Sequence, residues 1–245
     1  MSSTSSISPL TQGIKNVARL FGIDLVRYNM YHSADVLLNH VIKHFQVKTI
    51  LDVGANTGQY AEYALRHGYS GTIYSFEPIP SVFQKLSEKS KRSKKWVAIN
   101  LGVGSKEEEL SMNISENFVS SSILKVSEAS ISADEKTRIS HQEKIKITTI
   151  DSFMSDKTLE KEILLKLDIQ GYEMEALKGA QRCLSEVKLV QVELSFAKVY
   201  EGGPMYDEVI KFLTDQGFEL FTIIPGFRDE KSGRMLQADG IFARP

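Results

Sequence analysis

Two carboxylates and two glycines at set distances carry the clearest chemical signal in this chain. Ile50-Leu51-Asp52-Val53-Gly54-Ala55-Asn56-Thr57-Gly58-Gln59 runs from an apolar strand into an acid, then through Gly-x-x-x-Gly into a helix start. Gly54 permits a tight turn, and Gly58 permits close approach of the helix to a ligand and to the sheet. Amides at a helix mouth lack intrahelical acceptors and suit a carboxylate, while Asp52 suits an ammonium. One strand–helix unit later, Ser75-Phe76-Glu77-Pro78 ends a second strand. An acid ~20 residues past the glycine turn is placed to accept both hydroxyls of an adenosine ribose. Pro78 removes a donor and stiffens the exit. One adenosyl amino acid, S-adenosylmethionine, carries all of these groups. Its expected site is Asp52, Gly54, Asn56, Gly58, Glu77 and Pro78, with Gly102, just past the third strand, near the adenine. NAD is the competitor, but its fingerprint needs three glycines to seat a pyrophosphate, and no Gly-x-Gly is present here. A P-loop is excluded because no Gly-Lys-Ser/Thr follows.

A second group of candidates lies further along. Ile163-Leu164-Leu165-Lys166-Leu167-Asp168 ends with an acid at the carboxyl edge of a strand, where open α/β sheets bind ligands. Asp168 is expected to touch a donor's amino group, orient an acceptor or ligate a divalent ion. Lys166 interrupts an apolar strand; a buried Lys must pair or lose its proton, so it is either catalytic or an ion-pair partner of Asp52, Asp168 or Glu193. Glu193 follows Val190-Gln191-Val192 and is a base, an acceptor ligand or a structural partner. Glu173 is expected in a first helical turn, where a carboxylate favours the dipole. His141 has a suitable intrinsic pKa for a base but lies alone on a polar segment, which favours plain solvation. No Cys/His cluster or His-Glu-x-x-His exists, which argues against zinc. A Mg²⁺ site at Asp168 is compatible with the sequence, though no spacing indicates one.

These residues need a frame, and the chain supplies strand–helix alternation from Thr49 onward. Strands are expected at Thr49 to Val53, Thr72 to Phe76, Trp96 to Asn100, Ile163 to Asp168, Val187 to Glu193, Phe218 to Ile224 and Gly240 to Ala243. Helices are expected at Asn56 to His67, with an Asn cap and Gln59 completing a capping box, and at Ser81 to Ser90, Tyr172 to Leu184 and Met205 to Gln216. Such alternation implies a doubly wound α/β fold with a mostly parallel sheet. The last two strands are joined by the polar stretch Pro225 to Gln237 without a helix, so one strand must run antiparallel. Residues 1–45 form a tail and a helical lead-in, with a helical pattern from about Leu10 to Phe45. Residues 46–245 form the domain, with an insertion around 105–150 over the sheet edge. In that insertion Leu110, Met112 and Ile114 alternate with polar residues, as do Ile145 and Ile147. Ser120, Ser121 and Ser122 are either acceptor ligands or a polar loop. Tyr200-Glu201-Gly202-Gly203-Pro204 is expected as a lip near the acceptor pocket.

Composition narrows the partners. The chain has 245 residues, 42% hydrophobic and 25% charged, with a net charge of -1, so no global basic field attracts nucleic acid or an anionic membrane. The basic run Lys89 to Lys95 is short and is expected to be a solvated connection. The one cysteine, Cys183, precludes an intramolecular disulfide and sits in an apolar pattern, as a buried structural thiol does. That suits a reducing compartment, and a cytoplasmic location is expected. No apolar run reaches the ~20 residues of a membrane span. The polar start, Met1 to Ser6, has no secretory character and is expected to be disordered.

The sequence resembles the FkbM family of methyltransferases over nearly all of Thr49 to Arg244. The motifs that carry the resemblance are Leu51 to Gly58, Ser75 to Pro78, Leu165-Lys166-Leu167-Asp168-Ile169-Gln170-Gly171-Tyr172-Glu173, Leu177 to Ala180, Val192-Glu193 and Asp239 to Phe242. Gln170 stands where many members carry Glu, so a carboxylate's role does not carry over to it. The resemblance implies a class I methyltransferase Rossmann-like fold, seven-stranded, in the order 3-2-1-4-5-7-6 with strand 7 antiparallel. It also implies O-methylation of a small molecule, often a sugar or polyketide. Methyl transfer from a sulfonium needs alignment and removal of the acceptor's proton. The expected activity is therefore S-adenosylmethionine-dependent methylation of a hydroxyl on a carbohydrate or related small metabolite. Catalytic candidates are Asp168, Glu193 and Lys166. Two rivals stand beside this reading: an NAD-dependent oxidoreductase, and a donor-binding module without turnover, which Gln170 mildly encourages. A nucleic-acid methyltransferase is disfavoured, because no Asn/Asp-Pro-Pro-Tyr block is present.

Overall fold

The computed structural model describes residues 8–26, 28–128, 131 and 135–245. The polar start from Met1 to Ser6 lies outside the described residues. The chain divides into two compact units, Met1–Val41 and Ile42–Pro245.

The helical pattern near the N-terminus resolves into two helices. Helix α1 spans Pro9–Leu20; the Ser8 side chain caps it by accepting from the Thr11 N–H, and proline at the first position needs no acceptor. Gly22, with φ of 71°, ends it. Helix α2, Ala34–His44, restarts behind Ser33, whose hydroxyl accepts from the Val36 N–H. Apolar periodicity alone did not reveal this break.

The second unit is a doubly wound α/β layer structure. Strands β1 (Thr49–Val53), β2 (Thr72–Phe76), β3 (Trp96–Ile99), β7 (Ile163–Leu167), β8 (Val187–Ser195), β9 (Glu219–Pro225) and β10 (Gln237–Ala243) form a seven-stranded sheet. Its order is β3-β2-β1-β7-β8-β10-β9, and β10 pairs antiparallel with both neighbours. Numbered within this sheet alone, that is the expected 3-2-1-4-5-7-6. The labels shift because β4 (Gly102–Val103), β5 (Glu108–Ser115) and β6 (Ile139–Thr148) build a separate three-stranded sheet out of the expected insertion. Strands β1 and β7 are buried at every position, as central parallel strands covered on both faces must be. Their polar members, Asp52 and Lys166, are register partners.

Three helices differ from expectation for identifiable reasons. Helix α3 spans Gln59–Arg66 and starts behind Gly58, not at Asn56. Helix α4, Pro80–Ser90, takes its first residue from a proline, whose missing N–H costs nothing there. The expected helix from Tyr172 to Leu184 stops early. After α5 (Ile150–Ser155) and β7, helix α6 covers only Glu173–Lys178, because Gly179 docks on another backbone: a Cβ there would lie 2.0 Å from the Gly104 oxygen. The Asp151 carboxylate then accepts from the Arg182 and Cys183 N–H groups and holds a separate 3₁₀ turn at Cys183–Glu186. The Cys183 thiol is buried and donates to the Ala180 carbonyl, and burial pushes its pKa up, so it is a structural thiol. Helix α7, Tyr206–Asp215, agrees with its expected span to within a residue at each end. In the basic run, Lys89 and Arg92 both reach Glu62 of α3, at 2.8 and 3.3 Å. No helix among the described residues is long and apolar enough to cross a membrane.

Candidate active site

The glycine turn is built by left-handed backbone and closed against two strand tips. Gly54, Asn56 and Gly58 have φ of 77°, 48° and 87°. Glycine adopts this region freely, and asparagine is among the side-chain residues that tolerate it. The Gly54 and Ala55 N–H groups both donate to the Phe76 carbonyl, tying the end of β1 to β2. A Cβ on Gly54 would lie 1.9 Å from the Asp168 carbonyl oxygen, so no larger residue fits without moving the β7 tip. Asn56 does not cap α3. Its side chain accepts from the Thr57 N–H at 2.6 Å and shapes the turn instead. Gly58 lets the helix approach the sheet closely, as expected: its Cβ would meet the Trp96 ring at 2.5 Å. The turn's own amides are engaged internally, which leaves the first-turn amides of α3, Gln59 to Ala61, without intrahelical acceptors.

Glu77 follows β2 and is 5% exposed. Its two carboxylate oxygens accept from the Asn56 and Ile79 N–H groups at 3.0 and 2.9 Å. Burial raises its pKa to about 7, against the pull of those two N–H groups toward the charged form. Each oxygen keeps a further lone pair. Asn100 holds the segment by donating to the Glu77 and Pro78 carbonyls. A cleft runs from here to the β7 tip, lined by Gly54, Asn56, Glu77, Pro78 and Ile79 on one side and by Asp168, Ile169 and Gln170 on the other. Met112, Phe118, Val119 and Ser121 of the insertion complete it. Gly102 does not line this cleft; it is buried in β4, where a Cβ would meet Ile147 and Pro78.

Asp52 does not line it either. Its side chain is fully buried, accepts from the Ser75 hydroxyl at 3.0 Å and pairs with Lys166 at 3.2 Å. The Trp96 indole N–H donates to the same Ser75 hydroxyl. The sequence-based role of Asp52, receiving a ligand's ammonium, is therefore replaced by a structural one. Lys166 also reaches Asp168 at 3.4 Å and donates to the Gly54 carbonyl at 3.3 Å. Burial would lower its pKa, but the charges of Asp168 and Asp52 outweigh that and raise it. The two carboxylates thus favour the charged form of Lys166.

The tips of β7, β8 and β10 gather four more acids. Asp168 has a side chain 40% exposed and faces the cleft. Glu193 lies opposite Asp239 in the β8–β10 register. Glu173 is 2% exposed and folds back to accept from the Ile169 and Gly171 N–H groups, both at 3.1 Å. It braces the turn rather than merely complementing a helix dipole. Burial raises the Glu173 carboxyl to about 7. Burial, then the charges of Asp168, Glu173 and Asp239, hold Glu193 well above the carboxylate range. Burial and the Asp168 charge raise Asp239.

Sequence reasoning missed the glutamines here. Gln170, Gln237 and Gln191 donate side-chain amides to Asp168, Glu193 and Asp239 at 2.7, 2.6 and 3.0 Å. Gln191 also accepts from the Tyr60 hydroxyl. The available signal was polar residues inside apolar strands, as at Val190-Gln191-Val192. Other expected contributors are elsewhere or already engaged. His141 is exposed beside Ser140 and Glu143 and lies outside the cleft. Ser120 and Ser121 bond to Asn117 and Ser115, and Ser122 donates to the Gln170 carbonyl, so the three hydroxyls hold the insertion. No cluster of three or more His, Cys, Asp or Glu suited to a metal is present among the described residues.

An open sheet in this order, with one antiparallel strand, a glycine turn and an acid on the neighbouring strand, defines the Rossmann-like methyltransferase class. The methyltransferase FkbM domain matches residues 52–220, and the chain belongs to that family. The hexuronic acid methyltransferase AglP of Haloferax volcanii is 26% identical over 177 residues, covering 68% of this chain and 67% of that protein. Among solved structures, the methyltransferase domain of bacterial CtHen1-CN aligns with a TM-score of 0.49 and 12% identity, over 88% of this chain and 100% of that one. An rRNA methylase from Streptococcus thermophilus aligns with a TM-score of 0.46 and 8% identity, over 85% and 94%.

Proposed function

We propose that the chain is an S-adenosylmethionine-dependent O-methyltransferase acting on a hydroxyl of a carbohydrate or related small metabolite. The observation that carries the donor assignment is the Glu77 carboxylate, buried at the cleft wall with lone pairs to spare, facing the exposed Asp168 carboxylate across the same cleft. These residues fit an adenosyl amino acid: Glu77 receives the ribose hydroxyls, Asp168 the ammonium, and the first-turn amides of α3 the carboxylate. When bound, the donor supplies a methyl group on a sulfonium, ready for in-line displacement. Glu193 follows Val192, the register partner of Leu167, so it stands beside Asp168 at the tip of β8, and it is assigned to take the proton that an alcohol acceptor releases. Lys166 fixes Asp168 and takes no proton itself. A carbohydrate acceptor is supported by the relative named as a hexuronic acid methyltransferase.

The donor arm is tested by calorimetric titration with S-adenosylhomocysteine and, in parallel, NAD. Glu77→Ala is expected to weaken S-adenosylhomocysteine at least about tenfold, the worth of hydrogen bonds to a charged group. Unchanged affinity, or NAD binding in its place, would overturn the assignment. The acceptor arm is tested with labelled donor and a panel of uronic acids, neutral sugars and polyols. Transfer confined to none of them, with the donor bound, would leave a binding module.

A further inference from the structure

Gln170 lines the cleft beside Asp168, was given no role in the donor-site reading, and carries four unusual features. It has φ of 58°, followed by Gly171 at 95°, so a residue with a β-carbon is held in the left-handed region. Such backbone is strained and persists where surrounding contacts hold it. Its side-chain N–H donates to Asp168 Oδ1 at 2.7 Å. Its side-chain oxygen accepts from the Tyr200 hydroxyl at 2.5 Å. Its backbone carbonyl accepts from Ser122 of the insertion at 2.6 Å.

The polarity of this chain of bonds is fixed by chemistry. An ionised carboxylate only accepts, so the nitrogen end of the amide must face Asp168. The Tyr200 hydroxyl then meets the oxygen end and must donate. Burial first, and then the charges of Glu193, Glu173 and Asp168, hold the Tyr200 pKa up, so that proton stays in place. The ring of Tyr200 also packs on Gly171, where a Cβ would lie 2.9 Å from it. Asp168 is therefore gripped at both oxygens, Oδ1 by Gln170 and Oδ2 by Lys166 at 3.4 Å. With both oxygens held, its remaining lone pairs are directed by the protein rather than by solvent.

We infer that Gln170 is a positioning residue that sets the orientation of Asp168 for the donor, through an amide that a carboxylate at this position cannot replace while ionised. The inference rests on the donor-site reading above and adds to it the group that aims the ammonium ligand. An ionised glutamate at 170 would present an acceptor to the Asp168 carboxylate, beside the Tyr200 hydroxyl on which the charges of Glu193, Glu173 and Asp168 bear, with the Lys166 ammonium on the other oxygen of Asp168. A protonated glutamate restores the pattern: its O–H donates to Asp168 and its carbonyl accepts from Tyr200. A raised pKa for that carboxyl follows from the surrounding negative charge.

The test compares wild type, Gln170→Glu and Gln170→Met for S-adenosylhomocysteine affinity by calorimetry at about pH 8 and about pH 5.5, a range that brackets a carboxyl raised above its ordinary value near 4.3. Affinities are taken relative to wild type at the same pH. Both variants are expected to lose about tenfold or more at the higher pH. Gln170→Glu is expected to regain most of its loss at the lower pH, and Gln170→Met to regain none. A merely structural role predicts equal, pH-independent losses in the two variants, and that result would overturn the inference. So would wild-type affinity in Gln170→Glu at both pH values. Failure of wild type itself to bind would remove the donor-site reading and the inference together, which distinguishes the two failures.

Discussion

Two polar regions occupy one face of the sheet, a single pair of residues apart, and they handle charge differently. In the first, Asp52 on β1 and Lys166 on β7 are register partners, buried, joined at 3.2 Å and supported by Ser75 and Trp96. Burial disfavours the Lys166 ammonium, and the neighbouring carboxylates outweigh that and raise its pKa. In the second, at the strand tips, Glu193 and Asp239 each receive a glutamine amide, while Asp168, which also takes one, shares the Lys166 ammonium with the first region. An amide orients a carboxylate without contributing a charge, so burial and mutual repulsion still raise Glu193 and Asp239, along with Glu173. The same acid chemistry thus gives a fixed brace where a cation is adjacent and a proton-labile edge where the donor is neutral. The labile edge is where a reaction that releases a proton needs it.

The largest effect expected from breaking this contrast falls on the brace. Lys166→Met leaves Asp52 buried without its counter-charge, and losing one partner of a buried pair costs about 3–5 kcal/mol. Urea unfolding should show a loss of that size. Lys166→Met combined with Asp52→Asn should recover much of it, because the stranded charge is gone. A single variant within 1 kcal/mol of wild type, by the measure of ordinary surface changes at about 0.5 kcal/mol, would show that the pair is not the brace described.

The next effect concerns turnover. Glu193→Gln keeps size and the capacity to bond Gln237 but cannot hold a proton. With an acceptor found in the panel, kcat/KM is expected to fall about 10²-fold, the lower end of what a positioned base supplies, while donor affinity stays put. Wild-type kcat/KM should rise with pH through a value above the ordinary carboxylate range, and the variant should lack that limb. An unchanged pH limb in Glu193→Gln would move the base elsewhere, with Asp239 the first alternative.

How much of this was legible in the sequence follows from the range of the forces involved. Local signals gave the strands, the glycine turn and Glu77, because backbone conformation and strand-end position are set within a few residues. The brace was open as an alternative: a Lys inside Leu165-Lys166-Leu167 must find a partner, and Asp52 was among those named. That Asp52 turns to Lys166 and Ser75 rather than to the cleft was not legible in any local window, since its outlook depends on which β7 residue lies beside it. Gly58 approaches the sheet as expected, but which residues Gly58 and Gly102 touch, Trp96 and Ile147, is distant in sequence and was not legible. The glutamine–acid pairs span as many as 48 residues, as between Gln191 and Asp239, and no spacing rule anticipates them. The family resemblance supplied the sheet order, which strand periodicity alone does not fix.

The smallest effect is on stability and bears on the labile edge alone. Glu173 has a carboxyl at about 7 in the folded chain, raised from 4.5 by burial. A raised carboxyl means that the folded state holds its proton more tightly than the unfolded state does. The stability it contributes is therefore fully present below about pH 4.3 and is lost as pH climbs through the folded value near 7. Glu77, also at about 7, adds to the same decline. Glu173→Gln should preserve acceptance of one backbone N–H through its carbonyl while removing the ionisation. Melting temperatures across that window should fall less steeply for Glu173→Gln than for wild type. Parallel melting curves for wild type and Glu173→Gln would mean that the edge is as firmly charged as the brace.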